Sequence, residues 1–301
     1  MSSAAPTPNL PCMPLAFTKM HGLGNDYVYV DCTRQPLGAL DRAAAARAMS
    51  DRHRGIGSDG LILIDAPTPG VHADVRMEMY NADGSRGEMC GNGIRCVGLF
   101  ALAHGLVPRG AGRAGRVRVQ TDGGVRTVDV EQTAGRAARV RVNMGRPILA
   151  PHEIPVLLAG QRCLRAALDV AGRALTMTCV SMGNPHAVFF VAHGEAQDLE
   201  SLGPQIERHA VFPNRVNVHF AVVVKRDELE LRTWERGAGL TQACGSGACA
   251  TVVAGVLEGR LGRRVLCHLP GGDLEVEWPD DGGDVFMTGP AEEVFSGTWP
   301  T

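Results

Sequence analysis

Two stretches of the chain place a cysteine at a glycine-rich turn directly before an apolar run. One is Met89-Cys90-Gly91-Asn92-Gly93, leading into Val97-Gly98-Leu99-Phe100-Ala101-Leu102-Ala103; the other is Cys244-Gly245-Ser246-Gly247, leading into Ala250-Thr251-Val252-Val253-Ala254-Gly255-Val256-Leu257. Both runs read as helices. A thiol at a helix start faces unpaired backbone N–H groups and the positive end of the helix dipole, and both lower a cysteine pKa from its reference of about 8.5. Cys90 and Cys244 are therefore candidate thiolates. Taken singly, a Cys-Gly-x-Gly before a helix is most simply a tight turn over a buried thiol. Two of them half a chain length apart are what duplication of a half-chain unit leaves.

If the two halves face each other across a cleft, two helix starts converge on one carboxylate and two thiols flank the carbon that carries it. That arrangement inverts a stereocentre: one thiolate removes the α-proton from one face and a thiol delivers another from the opposite face. Charge developing on the carboxylate meets fixed N–H donors. No cofactor is required for this chemistry. A metal site built from Cys90, Cys96, Cys244 and Cys249 is the alternative use of these thiols, but the spacings are not those of zinc ligands and no His-x-x-x-His pair assists, so no metal is expected. Cys96 and Cys249, one to two turns into their helices, read as core residues, as do Cys12, Cys32, Cys163, Cys179 and Cys267.

The elements that must hold these stretches follow from composition and pattern. A chain of 301 residues with 45% hydrophobic content has material for two cores. A net charge of −2 lacks the footprint of a nucleic-acid binder and favours small neutral or zwitterionic partners. No run of 18 apolar residues is present, so no membrane span is expected, and the opening residues lack the plan of a signal peptide; the expected compartment is the cytoplasm. Nine widely spread cysteines without a Cys-x-x-Cys pair argue against a disulfide framework.

Residues 1–14, punctuated by four prolines, read as a disordered leader, with Met13 as a candidate natural start. His21-Gly22-Leu23-Gly24-Asn25-Asp26 is a polar turn feeding the strand Tyr27-Val28-Tyr29-Val30, and residues 40–50 form a helix. Gly55-Ile56-Gly57-Ser58-Asp59-Gly60 spells a dinucleotide fingerprint, but that motif needs a strand before it and a helix after, and here the order is reversed. Strands are expected at 61–64, 73–80, 116–120, 125–131 and 139–142. The second half repeats the order: a Gly turn at Met182-Gly183-Asn184-Pro185-His186 feeding a strand, a helix at 198–209, strands at 216–224 and 228–234, then the second cysteine helix and strands at 265–269, 274–278 and 285–287. His186 reads either as a satisfied loop histidine or as a site residue.

In order along the chain, Lys19-Met20-His21-Gly22-Leu23-Gly24-Asn25-Asp26, Tyr80-Asn81-Ala82-Asp83-Gly84-Ser85, Met89-Cys90-Gly91-Asn92-Gly93, Met182-Gly183-Asn184-Pro185-His186, Arg215-Val216-Asn217, Glu235-Arg236-Gly237 and Thr241-Gln242-Ala243-Cys244-Gly245-Ser246-Gly247-Ala248-Cys249-Ala250 resemble the diaminopimelate epimerase family. The resemblance runs from about Phe17 to Pro290. It implies an α/β (α+β) fold of two pseudo-symmetric domains, each a curved mixed β-sheet wrapped around a central helix. The implied division is 15–142 plus 288–301 for the Cys90 half and 143–287 for the Cys244 half. It implies a pyridoxal-independent isomerase that interconverts LL- and meso-diaminopimelate, on the route to lysine and peptidoglycan precursors, acting without cofactor as a homodimer.

Carried over residue by residue, the resemblance makes Cys90 the proton donor and Cys244 the acceptor in the LL to meso direction. It places Asn25, Asn81, Gly91, Asn92, Asn184, Asn217, Glu235, Arg236, Gly245 and Ser246 on substrate positions, with His186 and Glu235 orienting groups near the reacting carbon. Departures are few: some members carry glutamine where Gly60 stands here, and many carry glutamate at Leu240. Proline and hydroxyproline racemases resemble this family in fold and also use two cysteines, with His typical where Asn92 sits. A non-catalytic amino-acid binding protein on the same scaffold is the rival from another class, but binding alone would need neither thiol.

Overall fold

The computed structural model describes residues 14–300, apart from 36, 39, 88–90, 109–113 and 134. Cys90, and the leader except for Pro14, lie outside the described residues. The first half runs β1 (Leu15–Gly22), β2 (Asn25–Asp31), α1 (Arg42–Ser50), β3 (Gly60–Asp65), β4 (Val75–Asn81), β5 (Arg86–Gly87), α2 (Gly91–Ala103), β6 (Ala114–Thr121), β7 (Gly124–Gln132) and β8 (Ala137–Gly145). The second runs β9 (Ala166–Val170), β10 (Arg173–Ser181), β11 (Pro185–Phe190), a 3-10 turn at His193–Asp198, α3 (Leu199–Glu207), β12 (Asn217–Lys225), β13 (Glu228–Glu235), β14 (Gly239–Thr241), α4 (Gly245–Leu257), β15 (Arg264–Leu269), β16 (Gly272–Glu277) and β17 (Val285–Trp299).

The strand pairings make the internal repeat concrete. In the first half β2 and β3 pair in parallel across α1, and β4 and β6 pair in parallel across α2. In the second, β11 and β12 pair in parallel across α3, and β13 and β15 across α4. The remaining first-half pairs are antiparallel, and the ladder β1-β2-β3-β4-β6-β7-β8-β17 returns to β1, leaving no open edge in the main ring. The second ladder runs β10-β11-β12-β13-β15-β16-β17, and the bridge between Ile148 and Ser181 ties its far end to the segment after β8.

Each ring encloses one helix. From Gly91 to Leu102 every residue of α2 is buried, as is every residue of α4 from Gly245 to Gly255, because strands surround these helices on all sides. One continuous apolar core joins Ile94, Leu99 and Phe100 of α2 to Val252 and Val253 of α4 through both sheets. Smaller clusters lie under α1 and under α3, on the outer faces. Cys96, Cys249 and Cys267 are fully buried, as expected of core thiols, and Cys32 is half-buried.

Several boundaries differ from the sequence reading. The turn expected over 21–26 is only Leu23-Gly24, both at positive φ (61° and 78°), joining β1 to β2 as a two-residue hairpin. The strand expected over 285–287 continues to Trp299, and Pro290, which has no N–H to donate, sits in the ladder opposite Arg139. The helix expected over 198–209 begins as a 3-10 turn and becomes α3 only at Leu199. The hairpin β9–β10, turning at Ala171-Gly172 with φ of 54° and 80°, was not anticipated over its first strand.

Candidate active site

The two cysteine-bearing helices start against each other. A Cβ placed on Gly91 would lie in van der Waals contact with the Cα of Gly245, 3.4 Å away, so the two starts are direct neighbours. Asn92 in the first turn of α2 donates from Nδ2 to the carbonyl of Ala243, the residue before Cys244 (2.8 Å), and to Asn25 Oδ1 (3.3 Å). Its Oδ1 accepts from Arg95 NH1 at 2.9 Å, and the fully buried Arg95 also donates from Nε to Pro290 O (3.0 Å). Asn92 thus pins one helix start to the other.

Cys244 is buried and occupies the N-cap of α4 in an extended conformation, making no side-chain capping hydrogen bond. The Cys244 side chain therefore does not cap the first N–H groups of α4. The Cys244 thiol lies 3.7 Å from Ser246 Oγ and beside the carboxyl of Glu235, which accepts from Thr241 Oγ1 at 2.6 Å. Burial pushes the Glu235 carboxyl above its ordinary range, and the neighbouring Thr241 hydroxyl and Cys244 thiol only partly offset that.

A cleft of about 900 Å³ opens over the paired helix starts. Asn25, Asn81, Gly91, Asn92, Asn184, Asn217, Glu235, Arg236, Cys244, Gly245 and Ser246 all line it. Strand ends and hairpins deliver them. Asn25 opens β2, Asn81 ends β4 and bonds Ser85 Oγ (2.9 Å), and Asn184 follows Gly183, whose φ of 100° makes the β10–β11 turn. Asn217 at the start of β12 donates to Pro185 O and accepts from the Arg236 N–H, both at 2.9 Å, so it holds the turn after Glu235. The buried Glu207 holds the same turn from the other side, accepting from Gly237 N (3.1 Å) and Trp234 Nε1 (2.8 Å). His186 lies on β11 rather than in a loop and does not line the cleft; it is fully buried behind Asn184, its Nε2 2.9 Å from Asn184 Oδ1.

Residues that the sequence reading did not single out also line the cleft, among them Arg52, Asp59 and Thr241. Asp59 accepts from Asn25 Nδ2 at 2.6 Å, and Arg52 spans Asp26 (2.7 Å) and Asp59 (2.8 Å). Burial and the neighbouring Asp26 charge raise the Asp59 carboxyl, whereas Arg52 and Lys19 outweigh burial at Asp26 and hold it low. Asp59 belongs to the Gly-rich stretch rejected as a dinucleotide motif, so its real use was hidden by a misleading pattern. Gly60 beside it has no room for a side chain: a Cβ would come within 2.2 Å of Tyr80 O.

Residues 17–150 and 178–294 match the family model described as diaminopimelate epimerase. The chain belongs to the diaminopimelate epimerase family. As a member of that family it is an isomerase. It is 49% identical to the diaminopimelate epimerase of Pelotomaculum thermopropionicum over 284 residues, 94% of this chain and 98% of that one. It is 46% identical to the diaminopimelate epimerase of Acetivibrio thermocellus over 283 residues, with the same coverage. Among solved structures it shares its fold with a hydroxyproline epimerase from Agrobacterium vitis (TM-score 0.67, 15% identity, 95% of this chain and 90% of that one). A methylitaconate-delta-isomerase is as similar (TM-score 0.67, 15% identity, 95% of each chain). The two-ring, two-helix architecture is therefore that of the diaminopimelate epimerase fold.

Proposed function

We propose that the chain interconverts LL- and meso-diaminopimelate by two-base proton transfer between Cys90 and Cys244. The observation that carries this reading is the contact between the two helix starts. Cys90 immediately precedes Gly91 and Cys244 immediately precedes Gly245, so a carboxylate seated on both sets of N–H groups brings its α-carbon between two thiols. In the LL to meso direction Glu235 takes the thiol proton of Cys244, the Cys244 thiolate removes the α-proton, and the Cys90 thiol supplies a proton to the opposite face. Gly91, Asn92, Gly245 and Ser246 cradle the carboxylate on which charge develops.

The far end of the cleft suits a second amino-acid head. Arg236 offers a guanidinium to a carboxylate, while Asn25, Asn81, Asn184 and Asn217 supply the amide donors and acceptors that fix orientation. His186 acts from behind, holding Asn184. The same reading divides the chain into 15–142 with 288–301 and 143–287, one thiol to each domain. It places the enzyme in the cytoplasm as a homodimer, on the route to lysine and peptidoglycan precursors.

The test is incubation with LL-diaminopimelate in heavy water under reducing conditions. Formation of the meso isomer with deuterium at one α-carbon is expected. Neither epimerisation nor exchange would sink the reading, and turnover of proline instead would move it to the racemases. Cys90→Ala and Cys244→Ala should each lower epimerisation by at least about 10³-fold, and wild-type turnover in either would contradict the two-base mechanism.

A further inference from the structure

Behind the cleft wall four polar side chains form a chain that the reaction as described does not use in full. His186 on β11 and His219 on β12 are both completely buried. His186 Nε2 lies 2.9 Å from Asn184 Oδ1, His186 Nδ1 lies 2.8 Å from His219 Nε2, and His219 Nδ1 lies 2.9 Å from Thr233 Oγ1. Burial holds both imidazoles neutral: His219 is pushed down to about 3, and His186 lies well below its usual range, with the charge of Arg236 adding to that.

Neutral rings leave one arrangement of protons. Asn184 Oδ1 can only accept, so His186 Nε2 donates and its Nδ1 accepts; His219 Nε2 then donates, its Nδ1 accepts, and the Thr233 hydroxyl closes the chain as donor. With Oδ1 turned to His186, Asn184 keeps its Nδ2 for a substrate carboxylate. The other flank of His219 meets the active-site helix: a Cβ on Gly247, in the first turn of α4, would come within 2.2 Å of the ring's Cε1.

We propose that His219 is a positioning residue: it fixes the tautomer of His186, through it the orientation of Asn184 toward a substrate carboxylate, and it seats the first turn of the helix that carries Cys244. The inference rests on the proposed role of Asn184, and its test separates the two. In His219→Leu, KM for LL-diaminopimelate should rise about tenfold, the loss of one well-placed hydrogen bond, with a smaller change in kcat. His219→Gln can donate to His186 and accept from Thr233, and it should restore KM to within about threefold. In an Asn184→Ala background His219→Leu should add less than about twofold to KM, since the group it positions toward the carboxylate is gone, while the smaller change in kcat that comes through the first turn of α4 persists.

Two-bond ¹⁵N–¹H spectra of the wild-type protein give a readout independent of turnover. They should show His186 and His219 as neutral Nε2–H tautomers that do not titrate between pH 6 and 8, and His219→Gln identifies both signals by removing one and shifting the other. An Nδ1–H tautomer or an ordinary titration at either ring would overturn the relay. So would wild-type KM in His219→Leu, or an equal effect of His219→Leu on KM with and without Asn184. If His219→Leu does not fold, the glutamine variant and the tautomers still decide. Wild-type protein inert toward diaminopimelate would refute the site reading, while the spectra would still judge the relay.

Discussion

Glu235 is a carboxylate placed where ionisation is costly. Its pKa is raised by burial, so the folded protein binds this proton more readily than the unfolded chain does. Its contribution to stability is then fully present below the unfolded carboxylate range and lost as pH rises through its raised value. The ionised form destabilises the fold, and in the proposed mechanism it is the form that accepts the Cys244 proton. Glu235→Gln should raise the melting midpoint at pH 7.5 by roughly 2 °C while lowering epimerisation by at least about 100-fold. Calorimetry at pH 5 should show a smaller stability difference than at pH 7.5. An equal difference at both would mean that desolvation of the carboxylate is not the cause. Asp26 has the opposite sign: Arg52 and Lys19 hold its carboxyl low, so its stabilisation is present above the unfolded range and fades as pH falls through its depressed value.

At the scale of elements, the two enclosed helices are built for contact on every side. Gly98 in α2 faces the wall of its ring, where a Cβ would lie 2.5 Å from Val128 Cγ1 and 3.1 Å from Val130 Cγ2. Alanine is the better helix former by about 1 kcal/mol, but overpacking a closed ring costs more. Gly98→Ala should therefore lose roughly 1–3 kcal/mol in urea unfolding despite the gain in propensity. A stabilised variant would show that the ring yields to the helix. The short helices α1 and α3 lie outside the rings with one buried face each, and α1 begins at a side-chain cap, Asp41 Oδ1 accepting from Ala44 N at 3.0 Å. α1 thus obeys a local rule that the inner helices, dominated by packing, do not need, whereas α3 has no side-chain cap and carries Pro204 within it.

At the scale of the whole molecule, β17 joins the two rings. Its first residues pair with β16 and β8, and its later ones with β8 and β1, so one 15-residue strand serves both. Ending the chain after Gly289 removes the strand that closes the first ring and uncovers α2. The expected product lacks a single cooperative transition and binds a dye for exposed apolar surface; cooperative unfolding like that of the full chain would show that the ring closes without it. Among the described residues no helix is long and apolar enough to cross a membrane. Much of this molecule was legible in the order of its residues. The two Cys-Gly helix starts, the alternation of most strands and the half-chain repeat are local or periodic signals, and the amides of the cleft were legible by family resemblance. Other features came only from the folded chain. The passage of β17 through Pro290, the bond from Asn92 to Ala243, the use of Asp59 under Asn25 and the His186–His219 pair all join residues remote in sequence. No local period records such contacts: they exist because a closed ring of strands and a second ladder joined to it through β17 and the Ile148–Ser181 bridge force two helix ends, and the side chains behind them, into one place.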